Sequence, residues 1–297
     1  MAKSMPVLVL GIGLLAGCQP TPGTTTTRTL EADFKSYWYA GLAEISSYEL
    51  DQSRYGEPRS GTAVLIFVTE DFSKTKHVKL DDPARAAADK ESVLKLNFTK
   101  NFVTGLYPYS MMLSSFTPLG WQGHALKLSM SSQEWCGHMY TQVNQQADGF
   151  HVLSRSYFEK EGDEEFSLPL VWLEDELWAL LRISPSQLPV GEFDLLPGLF
   201  FSRLLHQPLS PVRAEGKRET KDGQSTYSIA MPSLGRTLAI SFQSTFPYGI
   251  TGWEETFQER GQRVTTTARL KKTLRTDYWA KNSNAFLPLR DSLALPR

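Results

Sequence analysis

Along most of this chain, short runs rich in β-branched and aromatic residues, several of them alternating apolar with polar positions, are separated by turn residues, the pattern of antiparallel β-strands with one packed and one wet face. In the first half these runs are Tyr37 to Leu50, Gly61 to Glu70, Lys76 to Leu80, Val93 to Thr104, His124 to Met130, Gln133 to Asn144 and Phe150 to Phe158. In the second half they are Thr226 to Met231, Arg236 to Phe246, Gly252 to Gln258 and Arg263 to Arg275. Asp148-Gly149 and Asp222-Gly223 predict tight hairpins, because both central residues of a type I′ turn take positive φ. Gly162 and Gly261 mark looser turns.

One segment carries helical spacing instead. Leu173, Leu177, Leu180 and Leu181 fall at i, i+4, i+7 and i+8, with Glu174, Asp175 and Glu176 in the first turn and Arg182 in the last, which complements the helix dipole. The spacing predicts a helix over Val171 to Ile183, between Pro169 and Pro185. A second short helix is expected from Pro197 to about His206, with Phe200, Phe201, Leu204 and Leu205 on one side and Pro208 as its stop. The fold class that follows is mainly β: a large curved antiparallel sheet or open β-barrel-like fold, with one or two short helices covering its mouth or concave face. The alternative is two packed β-rich lobes divided near residues 184–212, where Pro185, Pro189, Pro197, Pro208 and Pro211 cluster.

The N-terminal pattern is of another kind. Lys3 is the only charge before the apolar stretch Met5 to Leu15, which ends in Leu15-Ala16-Gly17-Cys18. That stretch is too short for a bilayer core, which takes about 20 residues, and small residues before a cysteine are the signature of a bacterial lipoprotein processing site. Residues 1–17 are therefore read as a cleaved signal peptide and Cys18 as the first residue of the mature chain, carrying diacylglycerol and an N-acyl chain. Several acyl chains at about 0.8 kcal/mol per CH₂ anchor a soluble domain stably. Residues 18–32, rich in Pro, Thr and Gly, read as a flexible tether, and residues 33–297 as the β-rich body. Gln19 stands where an aspartate would signal inner-membrane retention, so an outer-membrane, periplasm-facing location is expected.

Charge then limits the partners. The 31 basic and 32 acidic residues nearly cancel, which excludes a nucleic-acid-binding field. There are two cysteines, and lipidation of Cys18 leaves Cys136 without a disulfide partner. Phosphate loops, dinucleotide fingerprints and G-x-S-x-G elbows are absent from the sequence.

Candidate chemistry gathers at Gln133-Glu134-Trp135-Cys136-Gly137-His138. If Gln133 to Asn144 is one strand, Glu134, Cys136, His138 and Tyr140 share a face, and same-face neighbours lie roughly 7 Å apart. A histidine there lowers a thiol's pKa and creates a nucleophile. The plainer reading is a buried, inert Cys136 with His138 at the rim and Trp135 in the core. Zinc needs at least one ligand beyond Cys136 and His138; His124 or His151 could arrive from an adjacent strand, but no metal-binding spacing supports them, and neither a metal nor a dissociable cofactor is expected. The acidic run Glu159 to Glu165 lacks the spacing of a calcium loop and reads as a solvated turn. Tyr37-Trp38-Tyr39, Tyr107-Pro108-Tyr109 and Phe246-Pro247-Tyr248 read as sheet packing, with a carbohydrate or lipid groove as the alternative.

The stretches YWYAGLAEISSYELDQSRYGEPRSGTAVLIFVTE, KLNFTKNFVTGLYPYSMMLSSFTP, QEWCGH, YFEKEGDEE and LEDELWALLRISPSQLP resemble a family of uncharacterised bacterial outer-membrane lipoproteins, over residues 37–190. Some members are named septum formation inhibitor Maf. Maf nucleotide pyrophosphatases are shorter and cytosolic, with a serine- and arginine-rich substrate loop after the first strand, which this chain does not have. The resemblance implies a lipoprotein and no particular activity or functional residue.

Three functional classes follow. The first is a membrane-anchored, non-enzymatic binding or carrier module for a hydrophobic or envelope ligand; the second is a structural partner in an envelope protein complex. The third is a thiol- or metal-dependent hydrolase using Cys136 and His138, with Glu134 beside them.

Overall fold

The computed structural model describes Met1, residues 27–86 and residues 88–296. The expected processing site, with Cys18, lies outside the described residues. Among the described residues sixteen strands form one sheet. They are β1 (Ala43–Arg54), β2 (Glu57–Ser73), β3 (Val78–Lys79), β4 (Lys90–Thr104), β5 (Tyr107–Pro118), β6 (Lys127–Glu134), β7 (Gly137–Gln145), β8 (Phe150–Ser156), β9 (Asp163–Leu168), β10 (Trp172–Leu173), β11 (Gly191–Leu196), β12 (Val212–Lys221), β13 (Gln224–Met231), β14 (Arg236–Gln243), β15 (Ile250–Glu259) and β16 (Gln262–Thr276). Four short helices accompany them: α1 (Phe34–Trp38), α2 (Glu174–Ile183), α3 (Leu199–Leu205) and α4 (Pro288–Ser292).

The sheet order runs from β10 through β11 to β16, then β1, β2 and β4 to β9, with β3 paired beside β2. All its ladders are antiparallel except β10–β11. Its two ends, β9 and β10, are consecutive in the chain but do not pair. Residues 169–171 alone join them, and four Cα steps keep the ends within about 15 Å. The result is a curled, open sheet rather than a closed barrel. The segment 184–212, where the sequence allows a lobe boundary, holds β11 and α3 and belongs to the same sheet.

Apolar alternation decides which face is inside. In β13, Ser225, Tyr227, Ile229 and Met231 are buried while Thr226, Ser228 and Ala230 face outward. A transmembrane barrel shows the reverse, apolar residues facing lipid. Among the described residues no helix is long and apolar enough to cross a membrane. The inner face closes on α2, all ten residues of which are buried. Its Trp178 packs edge-on against Trp253 at 5.3 Å and meets Phe98 at the same distance, so β4, β15 and α2 share one aromatic core.

Several expectations hold and others need correction. Helix α2 and helix α3 lie where periodicity places them, whereas α1 takes Tyr37 and Trp38 out of the expected first strand. Asp222 and Gly223 take φ of 51° and 79° and form the expected tight turn. Arg260 and Gly261, at 51° and 78°, form another tight turn where only a loose one is expected. The β7–β8 hairpin exists, but neither Asp148 nor Gly149 has positive φ. The expected strand Gln133 to Asn144 is two strands, since Glu134 pairs with Gly137 across a turn at Trp135-Cys136. Residues 27–32 lie against the body: Thr27 bridges Trp121, and Arg28 is 6% exposed.

Candidate functional site

The turn at Trp135-Cys136 separates the three residues that the strand reading brings together. Glu134 points inward and is buried, His138 is exposed on β7 opposite Gln133, and Cys136 is exposed at the hairpin tip. Trp135, expected in the core, is 69% exposed. The Cys136 backbone N–H donates to Glu134 Oε2 at 2.8 Å, and the Glu134 carboxylate, by hydrogen bond and charge, pushes the Cys136 thiol up from its ordinary value. This is the opposite of an activated nucleophile, which needs a depressed thiol pKa. His124 precedes β6 and Cys136 follows it, so an eight-residue strand of about 27 Å separates them. His151 is engaged with Glu165 at 2.9 Å.

The unexpected feature is charge inside the sheet. The polar side of α2 is buried against partners from the strands. Arg236 of β14 donates to both Glu174 oxygens, through Nη2 at 2.7 Å, and through Nε to Glu255 of β15 at 2.8 Å. Asp175 accepts the Leu199 backbone N–H at 2.9 Å, which ties the start of α2 to the start of α3. Burial, with Glu174 adjacent, pushes the Asp175 carboxyl up to about 7. Glu176 meets His124 Nδ1 at 2.8 Å and accepts the Ala125 and Leu173 N–H groups. At the other end of α2, Arg182 forks onto Glu44 at 2.6 and 2.8 Å. Arg182 also sits 4.8 Å from the Phe67 ring and 5.1 Å from that of Trp38. Unpaired buried charges cost several kcal/mol, so these ion pairs select one orientation of α2 within the sheet.

Helix α3 covers a cleft of about 600 Å³ against the inner faces of β6, β7 and β8. Met130, Met139, Phe158, Leu199 and Leu209 supply apolar walls, and Glu164 of the edge strand β9 lies on its border. That volume falls in the range of small-molecule sites, and methionine walls adapt to irregular apolar shapes. Two polar residues of α3 lie in the wall, Ser202 and Arg203, 4% and 3% exposed. Ser202 Oγ and Arg203 Nε have no hydrogen-bond partner among the described residues. The Arg203 charge is already balanced by Glu134 at 3.7 Å, and its guanidinium stacks 4.5 Å from the Phe158 ring. His206 ends α3 at φ 53° and holds Glu161 at 2.5 Å, which fastens the β8–β9 turn across the cleft. The carboxylates of the acidic run are thus partly structural rather than wholly solvated. The phenylalanines of α3 announce its packing in the sequence, but nothing in the sequence announces Ser202 or Arg203.

A second cleft, of about 780 Å³, lies where the chain crosses from β9 to β10. Val171, Trp172, Leu180 and Phe193 form its apolar side, and Arg28 and His124 its polar side. Among the described residues no three His, Cys, Asp or Glu side chains gather as a metal site.

The fold and its clefts define an open, helix-filled β-barrel-like protein with ligand-sized space along the unpaired edges of its sheet. No family model matches the sequence, and no curated protein sequence is similar to it. Among solved structures it is similar to a beta-barrel-like protein of domain of unknown function DUF1849 from Brucella abortus, at 8% identity and a TM-score of 0.44, over 78% of this chain and 96% of that one.

Proposed function

We propose that this protein is a lipid-anchored envelope module that holds an apolar ligand in the cleft beneath α3, without catalysing a reaction on it. The observation that carries the reading is the combination, in one cleft of about 600 Å³, of methionine and aromatic walls with the buried, unpartnered Ser202 Oγ and Arg203 Nε. Such a site favours an apolar body bearing an uncharged acceptor, because Glu134 already balances the arginine. Half-buried Leu209 lies at the cleft wall, so Leu209→Trp fills the space without overpacking the core. The expected result is that mass spectrometry of the purified full chain finds a co-purifying apolar compound that Leu209→Trp removes. Purification of both proteins free of any such compound, with no uptake of the neutral probe decanol, would overturn the reading. The anchor is tested separately: Cys18→Ala should release the protein from the membrane fraction, and equal membrane recovery of the two proteins refutes lipidation.

A second reading, a partner in an envelope complex, is favoured by Leu106, Trp135 and Tyr157, which are 81%, 69% and 69% exposed. Their turns follow β4, β6 and β8, alternate strands of the antiparallel run β4 to β9, so the three turns lie at one end of the sheet. A photo-cross-linker at Trp135 should then give a discrete adduct in cells that Leu106→Asp weakens; no adduct counts against this reading.

A further inference from the structure

The cleft at the β9–β10 crossing combines an apolar wall with a cation that the fold does not neutralise by contact. Arg28 is 6% exposed, so its guanidinium is held in place rather than free in solvent. Among the described residues it donates only to neutral oxygens: Nε to Trp121 O at 3.3 Å and Nη1 to Gln187 Oε1 at 2.5 Å. Among the described residues it forms no ion pair, and Nη2 has no hydrogen bond. Every other large buried guanidinium described above has a carboxylate within 4 Å: Arg182 has Glu44, Arg203 has Glu134 and Arg236 has Glu174.

The acidic groups that act on Arg28 through space are already engaged. Glu176 is held by His124 and two backbone N–H groups, and Glu91 accepts the Gly120 N–H at 3.0 Å. Asp194, on the cleft wall, is 3.3 Å from Arg213. Burial pulls the Arg28 guanidinium down to about 10, which leaves it charged at neutral pH. A buried cation without a contacting anion is the costly half of an ion pair, and the apolar residues Val171, Trp172, Leu180 and Phe193 lie beside it.

We infer that this cleft binds a singly charged oxyanion borne on an apolar body, the anion meeting Arg28 and the body lying on the wall formed by Val171, Trp172, Leu180 and Phe193. A single unpaired guanidinium matches one negative charge, and a second negative charge would lie close to Glu176. Both an acyl carboxylate and a phosphodiester lipid carry this chemistry. The site is separate from the cleft beneath α3, shares none of its lining residues, and stands without it.

The test is calorimetric titration of the full chain with decanoate, dihexanoylphosphatidylglycerol, decanol and acetate. One or both anionic amphiphiles should bind at least tenfold more tightly than decanol, and acetate should show no saturable binding; which anion wins identifies the source. Arg28→Gln should remove the preference and leave decanol binding unchanged, while Arg28→Lys, which keeps the charge, should retain most of it. If Arg28→Gln fails to fold, Val171→Trp serves instead, since it fills the half-buried wall without altering charge and should abolish anion binding. Equal affinity for the anions and decanol, or a preference that survives both Arg28→Gln and Val171→Trp, overturns the inference. Decanol binding without anion preference defeats this inference alone, whereas no binding of any amphiphile defeats the proposed function as well.

Discussion

Replacing Glu44 by Leu tests whether the buried ion pairs hold α2 in the sheet. Arg182 is 1% and Glu44 4% exposed, and the pair is joined by two charge-assisted hydrogen bonds at 2.6 and 2.8 Å. In Glu44→Leu the guanidinium keeps only the Pro247 carbonyl, at 2.9 Å, and its two aromatic neighbours. Breaking a buried pair from one side costs about 3–5 kcal/mol. For a chain of this size each kcal/mol lowers the melting temperature by about 2–4 °C, so a loss of about 6–20 °C is expected. Removing both charges, Glu44→Leu with Arg182→Met, should recover most of the stability, because a well-packed apolar pair replaces a buried ion pair at little net change. Urea unfolding of the wild type, both single variants and the double variant gives the coupling energy directly. A single-variant cost below about 1 kcal/mol, or a double variant as unstable as the sum of the singles, refutes the reasoning. The pair also has a pH signature. Burial opposes the Glu44 charge, but Arg182 outweighs it and holds the carboxyl below the usual 4.5. Its share of stability is therefore complete above pH 4.5 and is lost as pH falls through the depressed folded value.

Asp175 has the opposite sign. Its folded pKa is raised from 3.8 to about 7, so its contribution to stability is complete below pH 3.8 and is lost as pH rises through about 7. Asp175→Asn, which keeps an acceptor for the Leu199 N–H, should gain stability relative to wild type between pH 4 and pH 8. A stability difference independent of pH contradicts this. For Cys136, a soluble disulfide reagent should label the native protein without denaturant, faster at pH 9 than at pH 7, and at a rate unchanged by His138→Ala. Labelling that requires unfolding, or that falls in His138→Ala, contradicts the exposed-tip geometry.

The sequence exposes strands where alternation is strong and hides them where the inner face is short of apolar residues. Strand β12, Val-Arg-Ala-Glu-Gly-Lys-Arg-Glu-Thr-Lys, buries only Ala214 and Gly216, and β9 begins with three exposed acids. Strand β5 carries Pro108 and Pro118 at its ends, which reads as turn material. The QEWCGH segment misleads for a specific reason: Trp135 and Cys136 turn the chain without positive φ, so no Asn-Gly or Asp-Gly signal marks the hairpin. The Glu134 side chain stabilises that turn by accepting the Cys136 N–H. Gly137 is needed there for space, since a Cβ would lie 2.5 Å from the Tyr157 ring, a contact made only after β8 returns. The acids of α2 are correctly placed in a first helical turn, but their partners His124 and Arg236 lie about 50 and 60 residues away, and no local pattern encodes such pairings. Arg28 lies in a segment whose Pro/Thr composition reads as tether, so its burial against the second cleft is likewise a tertiary effect.

The place of β16 in the sheet order has a kinetic consequence. β16 lies between β15 and β1, so the last of the described strands in chain order completes the middle of the sheet, with Leu50 facing Ala268 and Ile45 facing Leu274. Loops of more than 200 residues must close before that ladder forms, which raises contact order and slows folding. Until then β1 presents an unpaired edge with an apolar inner face, the kind of template that attracts other chains. During synthesis this edge emerges early and waits for the strands that follow it in the chain. An apolar edge left open for that long needs shielding until β16 arrives.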